Sequence, residues 1–309
     1  MAVARIAVVG GFAMELAFWA PRRPGPNEIV QGDAFEMRPG GKGFAQAVAA
    51  SRADGRVVAI GRIGQDDFGD LFLRKLVVEG VETRWLVRDP LNGTAVVSPL
   101  RTGDGDAGVL LVPRANGALE AQDITRATQV LANSDVVLLQ METPPAASQL
   151  AASLGRSGGA KVILNAAPYA GQDLPGALLA VVDILVVSAR VAARLTDGAH
   201  ADVAPESTAH ALRARGARRV VVTLGVEGCM MVDRDGARTF SAFPVDAVNP
   251  GAAGDAFCGA LAVAVAERQP IARVLRFANA AAALACSVPG AEAALPTRHA
   301  IERLLRKQM

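Results

Sequence analysis

Aromatic side chains are scarce in this chain. Phe, Trp and Tyr make up 4% of it while apolar residues make up 51%, so the core must be built from Ala, Val, Leu and Gly, which suits close helix–sheet packing. There are only three cysteines, an odd number. Cys229, Cys258 and Cys286 are widely spaced among apolar residues, which excludes a disulfide framework or a metal-ligand spacing and reads as reduced, buried thiols in a cytoplasmic protein. His200, His210 and His299 lie in polar stretches and are expected at the surface. Charge of one sign is lacking too: the net charge is +2 and no basic run exceeds two or three residues, so neither nucleic acid nor an acidic membrane surface is an expected partner. No apolar run reaches membrane-spanning length, Ala177 to Ala189 being broken by Asp183. Gly10, Gly11 and Glu15 cut short the apolar N-terminus, so no signal peptide is expected.

Two glycine motifs are incomplete. Arg5 to Val9 is a buried strand by composition and ends in Gly10-Gly11, but no third glycine opens a helix at dinucleotide spacing. Gly40-Gly41-Lys42-Gly43 precedes an expected helix at 44–53, but it has neither the earlier glycine nor the following Ser or Thr of a Walker A loop. A tight turn with a surface lysine and a ligand-facing turn both remain open there.

What is present is alternation. Strands are expected at 57–61, 135–139, 161–165, 183–187 and 219–223, with helices at 70–79, 144–156, 189–196 and 205–215 between them. That pattern predicts an α/β fold, a mostly parallel sheet with helices on both faces. Two regions, 12–38 and 94–112, read instead as antiparallel strands; in the second, Arg101 to Ala107 forms a hairpin turn. They are assigned to a small β lid over one end of the sheet. Thr223, Leu224, Gly225, Val226, Glu227 and Gly228 end a strand, either as a nucleotide-accepting turn or as an ordinary hairpin turn before a strand at 229–232. A long Ala-rich helix at 272–285 and a charged one at 297–307 close the chain.

The stretch Asn249 to Phe257 carries the chemistry. It is expected to follow a strand at 239–248 and to open a helix at 256–267. Gly251, Ala252, Ala253 and Gly254 leave the backbone open to close approach, and the first N–H groups of a helix attract an anion. Asp255 is the one charge in the turn. A carboxylate repels a bound phosphate, so it makes sense as a base for a hydroxyl attacking that phosphate, or more blandly as a helix cap.

Taken together, these segments resemble the PfkB carbohydrate kinases of ribokinase-like type, almost end to end. Gly40 to Ser51 with Ile60 to Gly69 is similar to the family's first signature, and Gly251 to Leu261 to its second. Leu164-Asn-Ala-Ala-Pro168, Leu195-Thr196, Val222 to Gly225 and Phe277 to Ala283 fall in order around them. The resemblance implies a single ribokinase-like domain over 1–309, with the lid at about 12–38 and 94–112. It implies an ATP-dependent phosphotransferase for a small sugar, a nucleoside or another polyol. Asp255 would be the base, and the N–H groups of Ala252, Ala253, Gly254 and Asp255 the anion hole. Gly41, Lys42, Gly43 and Glu142 would face the sugar, as would Ala13, Glu15, Phe44 and Ala45. Ser188, Thr223 to Gly228, Gly254 and Asn279 would line the nucleotide site, with magnesium on the ATP phosphates. A monovalent cation such as potassium would use Asn249, Gly251, Ala285, Val288 and Gly290. Members often pair their lids, so a homodimer is implied.

The chain departs from that family at the sugar. Ala13, Glu15 and Ala45 stand where Asn, Asp and Asn are usual, with bulky Phe44 beside them, implying a different hydroxyl pattern or a less polar or larger acceptor. Ser188 to Val191 replaces Asn-x-x-Glu near the phosphates, where Arg190 is a substitute contact, and Asn249 replaces an Asp. A non-catalytic sugar- or nucleotide-binding protein on the same fold is the alternative.

Overall fold

The computed structural model describes residues 3–103, 108–196, 204–290 and 292–307; the hairpin tip at 104–107 and His200 lie outside the described residues. Among the described residues the strands are β1 Arg5–Val9, β2 Ala13–Ala20, β3 Ala34–Gly40, β4 Arg56–Gly64, β5 Glu82–Asp89, β6 Ala95–Thr102, β7 Gly108–Val112, β8 Val136–Leu139, β9 Lys161–Asn165, β10 Ile184–Ser188, β11 Arg219–Thr223, β12 Cys229–Asp233 and β13 Gly236–Phe240. Nine of them form one sheet in the order β13-β12-β11-β10-β9-β8-β1-β4-β5. All neighbours from β11 to β5 are parallel, and β12 and β13 add an antiparallel edge. The fold is α/β, with a large, mostly parallel sheet, helices, and a smaller separate sheet, as the resemblance implies.

The short Val- and Ile-rich runs form strands because they are buried on both faces, the setting in which parallel strands read as continuous apolar runs. Their alternation divides the interior in two. Ile6, Val8, Val57, Ala59, Val136 and Leu138 pack against the helices Lys42–Arg52, Ala253–Ala266 and Ile271–Cys286 on one side. Ala7, Val9, Val58, Ile60, Val137 and Leu139 pack against Pro145–Ser157 and Pro205–Ala214 on the other. Four strands form the second sheet, in the order β3-β2-β6-β7. Its outer pairs are antiparallel, but β2 and β6 run parallel, a pairing the hairpin reading of each region does not predict.

The structure corrects several expectations. No strand runs from 239 to 248: β13 ends at Phe240, because the Asn279 side chain donates to the carbonyls of Phe240 (2.9 Å) and Ser241 (3.1 Å), and Pro244 has no N–H for a ladder. The following helix starts at Ala253 rather than 256, so Gly254 and Asp255 belong to its first turn. β5 is not among the expected strands; its Arg84, Arg88 and Asp89 are tolerated at a sheet edge. The short helices Arg114–Gly117, Ala121–Arg126, Thr128–Ala132 and Gly176–Leu179 are too brief for periodicity to reveal. Cys229 and Cys258 are buried free thiols, whereas Cys286 is only half-buried, since it ends its helix. His210 and His299 are exposed. No helix among the described residues is long and apolar enough to cross a membrane.

One contact sets the distance between the two helices that carry the site. A Cβ at Gly259 would stand 2.5 Å from Ala49 Cβ and 2.7 Å from Ala50 N, so the helices Lys42–Arg52 and Ala253–Ala266 touch backbone to backbone. Gly259→Val should therefore cost about 1–3 kcal/mol, the usual range for overpacking, and lower the melting temperature by several degrees. A calorimetric melt superimposable on the parent's would count against this contact.

Candidate active site

The site forms where parallel strands end, the place open α/β sheets reserve for ligands. β1 runs out into Gly10 and Gly11, and the helix Lys42–Arg52 begins directly against them. A Cβ at Gly43 would lie 2.6 Å from Gly11 N, and Gly41 has φ +87° with Gly11 O 2.6 Å from where its Cβ would be. Only glycine meets both demands at 41. Beyond β8, Glu142 reaches back over Gly11 and accepts from the N–H groups of Lys42 (2.6 Å) and Gly43 (3.2 Å). Its carboxylate thus caps the lysine-bearing helix, completing N–H groups that have no intrahelical partner.

The first turn of the helix Ala253–Ala266 comes to the same point. Asp255 is buried, and its Oδ1 lies 3.6 Å from Lys42 Nζ and accepts from Gln46 Nε2 at 2.9 Å. No hydrogen bond engages Oδ2 among the described residues. The Asp255 charge is the main reason the Lys42 amine is pushed above its ordinary range. Burial pushes the Glu142 carboxyl up to about 7, with Lys42 opposing and Asp255 reinforcing the shift. Cys258, one helical turn on, has its thiol pushed up by burial and is inert. Gly254 is exposed with nothing within 4 Å of an added Cβ, so the backbone of this turn is open on the side a ligand approaches.

Sequence reasoning did not single out the polar side chains behind Asp255. Gln46 also donates to Asn165 Oδ1 (3.1 Å) and accepts from Gln140 Nε2 (2.8 Å), and all three are buried. Asn116, also buried, accepts from the Phe12 N–H at 3.1 Å and braces the exit of β1. For Gln46, Gln140 and Asn165 the signal was available: each is a lone amide in an Ala-rich helix or at the end of an apolar strand, where an unpaired polar group costs about 1–3 kcal/mol.

A cleft of about 500 Å³ lies between this floor and the small sheet. Lys42, Glu142, Asp255, Gly41, Ala45 and Tyr169 line it from the large sheet's side. Register explains the other wall. Arg38, Glu15, Val97 and Leu111 lie side by side across β3, β2, β6 and β7, with Pro99 paired to Val109 one step on, and all six line the cleft. Arg38 is hydrogen-bonded to Glu15 and Arg101 approaches the same carboxylate at 4.0 Å. Two residues anticipated at the sugar are placed otherwise. Ala13 is fully buried and does not line the cleft. Phe44 borders it, but the residue is buried and its ring packs against Phe72, 5.2 Å between centroids, in a trio with Phe12.

The nucleotide-side residues gather at the ends of β10 to β12. Ser188 and Thr223 are register partners, and Ser188 Oγ accepts from Val191 N–H (3.3 Å), capping its own helix; Arg190 beside it is exposed. Leu224 to Gly228 is the hairpin turn into β12, with Gly225, Val226 and Glu227 exposed at its rim. Gly228 has φ +101°, and a Cβ there would strike Phe240 O at 2.1 Å. Asn279 is buried behind this turn, its amide spent on the two backbone carbonyls of 240 and 241. Asn249 joins the turn at 251 to the loop at 290: Oδ1 accepts from Gly251 N–H (2.9 Å) and Nδ2 donates to Gly290 O (3.3 Å). Ala285 is buried in its helix and Val288 is exposed. Asn249 brings no charge to this place, so a cation here would rest on backbone carbonyls alone.

Comparison with known proteins gives the family. The model of the pfkB family of carbohydrate kinases matches residues 3–298. The chain is 31% identical to the ribokinase of Haemophilus influenzae over 299 residues, 95% of each chain, and 32% identical to that of Bacillus subtilis, over 97% of this chain and 99% of the relative. A deoxyribokinase of Salmonella typhimurium is 28% identical over 94% of this chain and 95% of its own. Among solved structures, Arabidopsis thaliana ribokinase complexed with ribose and ATP is similar with a TM-score of 0.90, 26% identity and 99% of both chains covered. With a family match over nearly its whole length and a floor of lysine, aspartate and open glycine turn at the strand ends, the chain belongs to the pfkB family of carbohydrate kinases.

Proposed function

We propose that this carbohydrate kinase transfers the γ-phosphoryl group of ATP to a hydroxyl of a small sugar of pentose size, with Asp255 as the base. The observation that carries the reading is a buried carboxylate in the first turn of a helix, one oxygen anchored and the other free, beside an open glycine backbone and a lysine 3.6 Å away. Asp255 Oδ2 takes the proton of the acceptor hydroxyl as its oxygen attacks the γ-phosphorus. The bond to the β,γ-bridging oxygen breaks and ADP leaves. Charge spreads over the three γ-oxygens during this step. The N–H groups of Ala253, Gly254 and Asp255, with Ala252 at the cap, offer donors where that charge grows; a lost donor of this kind costs roughly 3–4 kcal/mol of barrier. Gly41 to Gly43, Ala45, Glu142 and Glu15 border the sugar, and Ser188, Thr223 to Gly228 and Asn279 the nucleotide. The names and bound molecules of the relatives, ribose and ATP, support this assignment.

Magnesium would neutralise the ATP phosphates. Among the described residues no group of three or more His, Cys, Asp or Glu side chains is placed to hold a metal, which fits an ion carried by the phosphates and its own water. Potassium is given no role, because the Asn249 amide already bridges its two loops by hydrogen bonds. The absence of a carboxylate at 188–191 favours a second reading, a ligand-binding protein with weakened transfer.

Turnover separates the two readings. With Mg-ATP and a panel of pentoses, deoxypentoses and nucleosides, the protein should release ADP against at least one member, and Asp255→Asn should lower kcat by roughly 10²–10⁴-fold. Binding to panel members without ADP release, unchanged in Asp255→Asn, would establish the binding protein instead.

Glu142 generates a pH signature. Its folded value near 7 lies above the ordinary carboxylate value, so between the two the folded protein holds a proton that the unfolded chain has lost. The group's contribution to stability therefore falls as pH rises from about 4.5 to 7. Urea unfolding of the parent and Glu142→Gln across pH 4.5–8 should show the variant gaining relative stability with pH; parallel curves would argue against the buried carboxyl.

We extend the proposal to a homodimer through the small sheet, which would act as a lid. Phe18 and Phe35 are register partners with rings 5.0 Å apart, 43% and 57% exposed, and Leu110 on β7 is 74% exposed. β7, Gly-Val-Leu-Leu-Val, is apolar towards both faces at a sheet edge, a pattern suited to burial against another copy. Sedimentation at micromolar concentration should give a dimer mass for the parent and a monomer mass for Phe35→Asp. A monomeric parent overturns the pairing.

A further inference from the structure

Three buried amides behind the base, Gln46, Gln140 and Asn165, have no part in the transfer as described so far, and one of their atoms is left bare. Gln140 Oε1 is buried and has no hydrogen-bond partner among the described residues. It is pressed against the exit of β1, where a Cβ on Gly10 would stand 1.9 Å from it. A network serving stability alone gains nothing from such an atom, since a half-satisfied polar cluster is worse than an apolar one.

The bare oxygen follows from reading the chain of bonds outward from Asp255. An ionised carboxylate only accepts, so Gln46 must turn its NH₂ towards Oδ1, and it does so at 2.9 Å. The second N–H of that NH₂ goes to Asn165 Oδ1 at 3.1 Å. Asn165 cannot turn over, because its own NH₂ faces the carbonyl of Val186 at 3.4 Å, again an acceptor only. Gln46 is thus held from two sides, and its Oε1 must take the NH₂ of Gln140, at 2.8 Å. Nothing remains for Gln140 Oε1. Turning Gln46 over would bring its oxygen against the Asp255 carboxylate and against Asn165 Oδ1 at once.

We propose that Gln46 is a positioning residue for phosphoryl transfer: its amide, locked by Asn165 and Gln140, pins Oδ1 of Asp255 so that Oδ2 faces the cleft and takes the proton of the acceptor hydroxyl. The inference rests on the kinase reading given above. Lys42 cannot do this work, since its Nζ is 3.6 Å from Oδ1 on a long, partly exposed stem and supplies charge rather than direction. Gln46 is fully buried in the helix Lys42–Arg52, whose backbone is in contact with the helix bearing Asp255, so the amide arrives on a rigid mount.

The test is kinetic, using whichever sugar the parent phosphorylates. Gln46→Met fills the space without a donor. It should lower kcat by about 10- to 100-fold, the scale on which small misplacements of a reacting group are felt, while KM for ATP stays within about twofold. The same substitution in an Asp255→Asn background should change the residual rate by less than about twofold, because its effect acts through the carboxylate. A parent-like kcat for Gln46→Met overturns the proposal, as does an equal loss in both backgrounds, which marks a purely structural role. If circular dichroism shows that Gln46→Met does not fold, Asn165→Ser carries the test. It frees one of the two locks on Gln46 and should cost several-fold in kcat at unchanged KM, and a parent-level kcat there is equally fatal. A parent that phosphorylates no member of the panel overturns the kinase reading itself, a result distinct from an active parent whose Gln46→Met variant is equally fast.

Discussion

The structure depends on one close approach: a lysine and an aspartate, each in the first turn of its own helix, 3.6 Å apart at the ends of the parallel strands. Each helix start is a place where backbone N–H groups lack partners. One is filled from within the protein, by the Glu142 carboxylate. The other, at Ala253 to Asp255, is open. The two starts therefore differ in kind: one is completed so that it can hold a lysine in place, and the other is kept free for an anion. Glycine at 41, 43 and 259 sets these distances, the first two against the exit of β1 and the third between the helices. A side chain at any of them would move the charges apart before it altered the chemistry of either.

Much of this frame was legible in the sequence, because its signals are local. Apolar runs of five residues, glycine pairs at their ends and small residues at a helix start give the parallel sheet and the open turn without any long-range knowledge. The segment at 241–248 was not legible, since Asn279, distant in sequence, ends β13 by taking its carbonyls. Nor was the capping role of Glu142, which reaches a helix 100 residues away. The lone amides Gln46, Gln140 and Asn165 were visible as letters, but only their meeting in space makes them a chain. What sequence reading loses is the partner of each polar group, not the existence of the group.

The small sheet has a different physical character from the rest. Its cleft-facing wall carries a half-buried ion pair, Arg38 with Glu15, while its other face carries Phe18 and Phe35. A strand such as β7, apolar towards both faces, has to be covered on both. One face borders the cleft, and the other is exposed at Leu110. On the reading proposed above, sugar binding and association of copies would draw on the same four strands, whose side chains alternate between the two faces of a single sheet layer.

That layout relocates the question of which sugar is accepted. The sequence places the departures at Ala13, Glu15, Phe44 and Ala45, as though four side chains reshaped the pocket. In the structure Ala13 is buried between strands and the Phe44 ring is locked against Phe72, so neither presents a side chain to the ligand. Two positions remain. Ala45 removes bulk and hydrogen bonding from the floor, and Glu15 brings a carboxylate held by Arg38 and approached by Arg101. Both arginines belong to the small sheet, whereas Asp255, Lys42 and Glu142 stand on elements of the large one. On the kinase reading proposed above, discrimination and chemistry would be carried by separate layers. If the proposed reading holds, an acceptor that fails to engage Glu15 and its arginines would leave that wall unpartnered, and the penalty would fall on binding rather than on the proton transfer at Asp255.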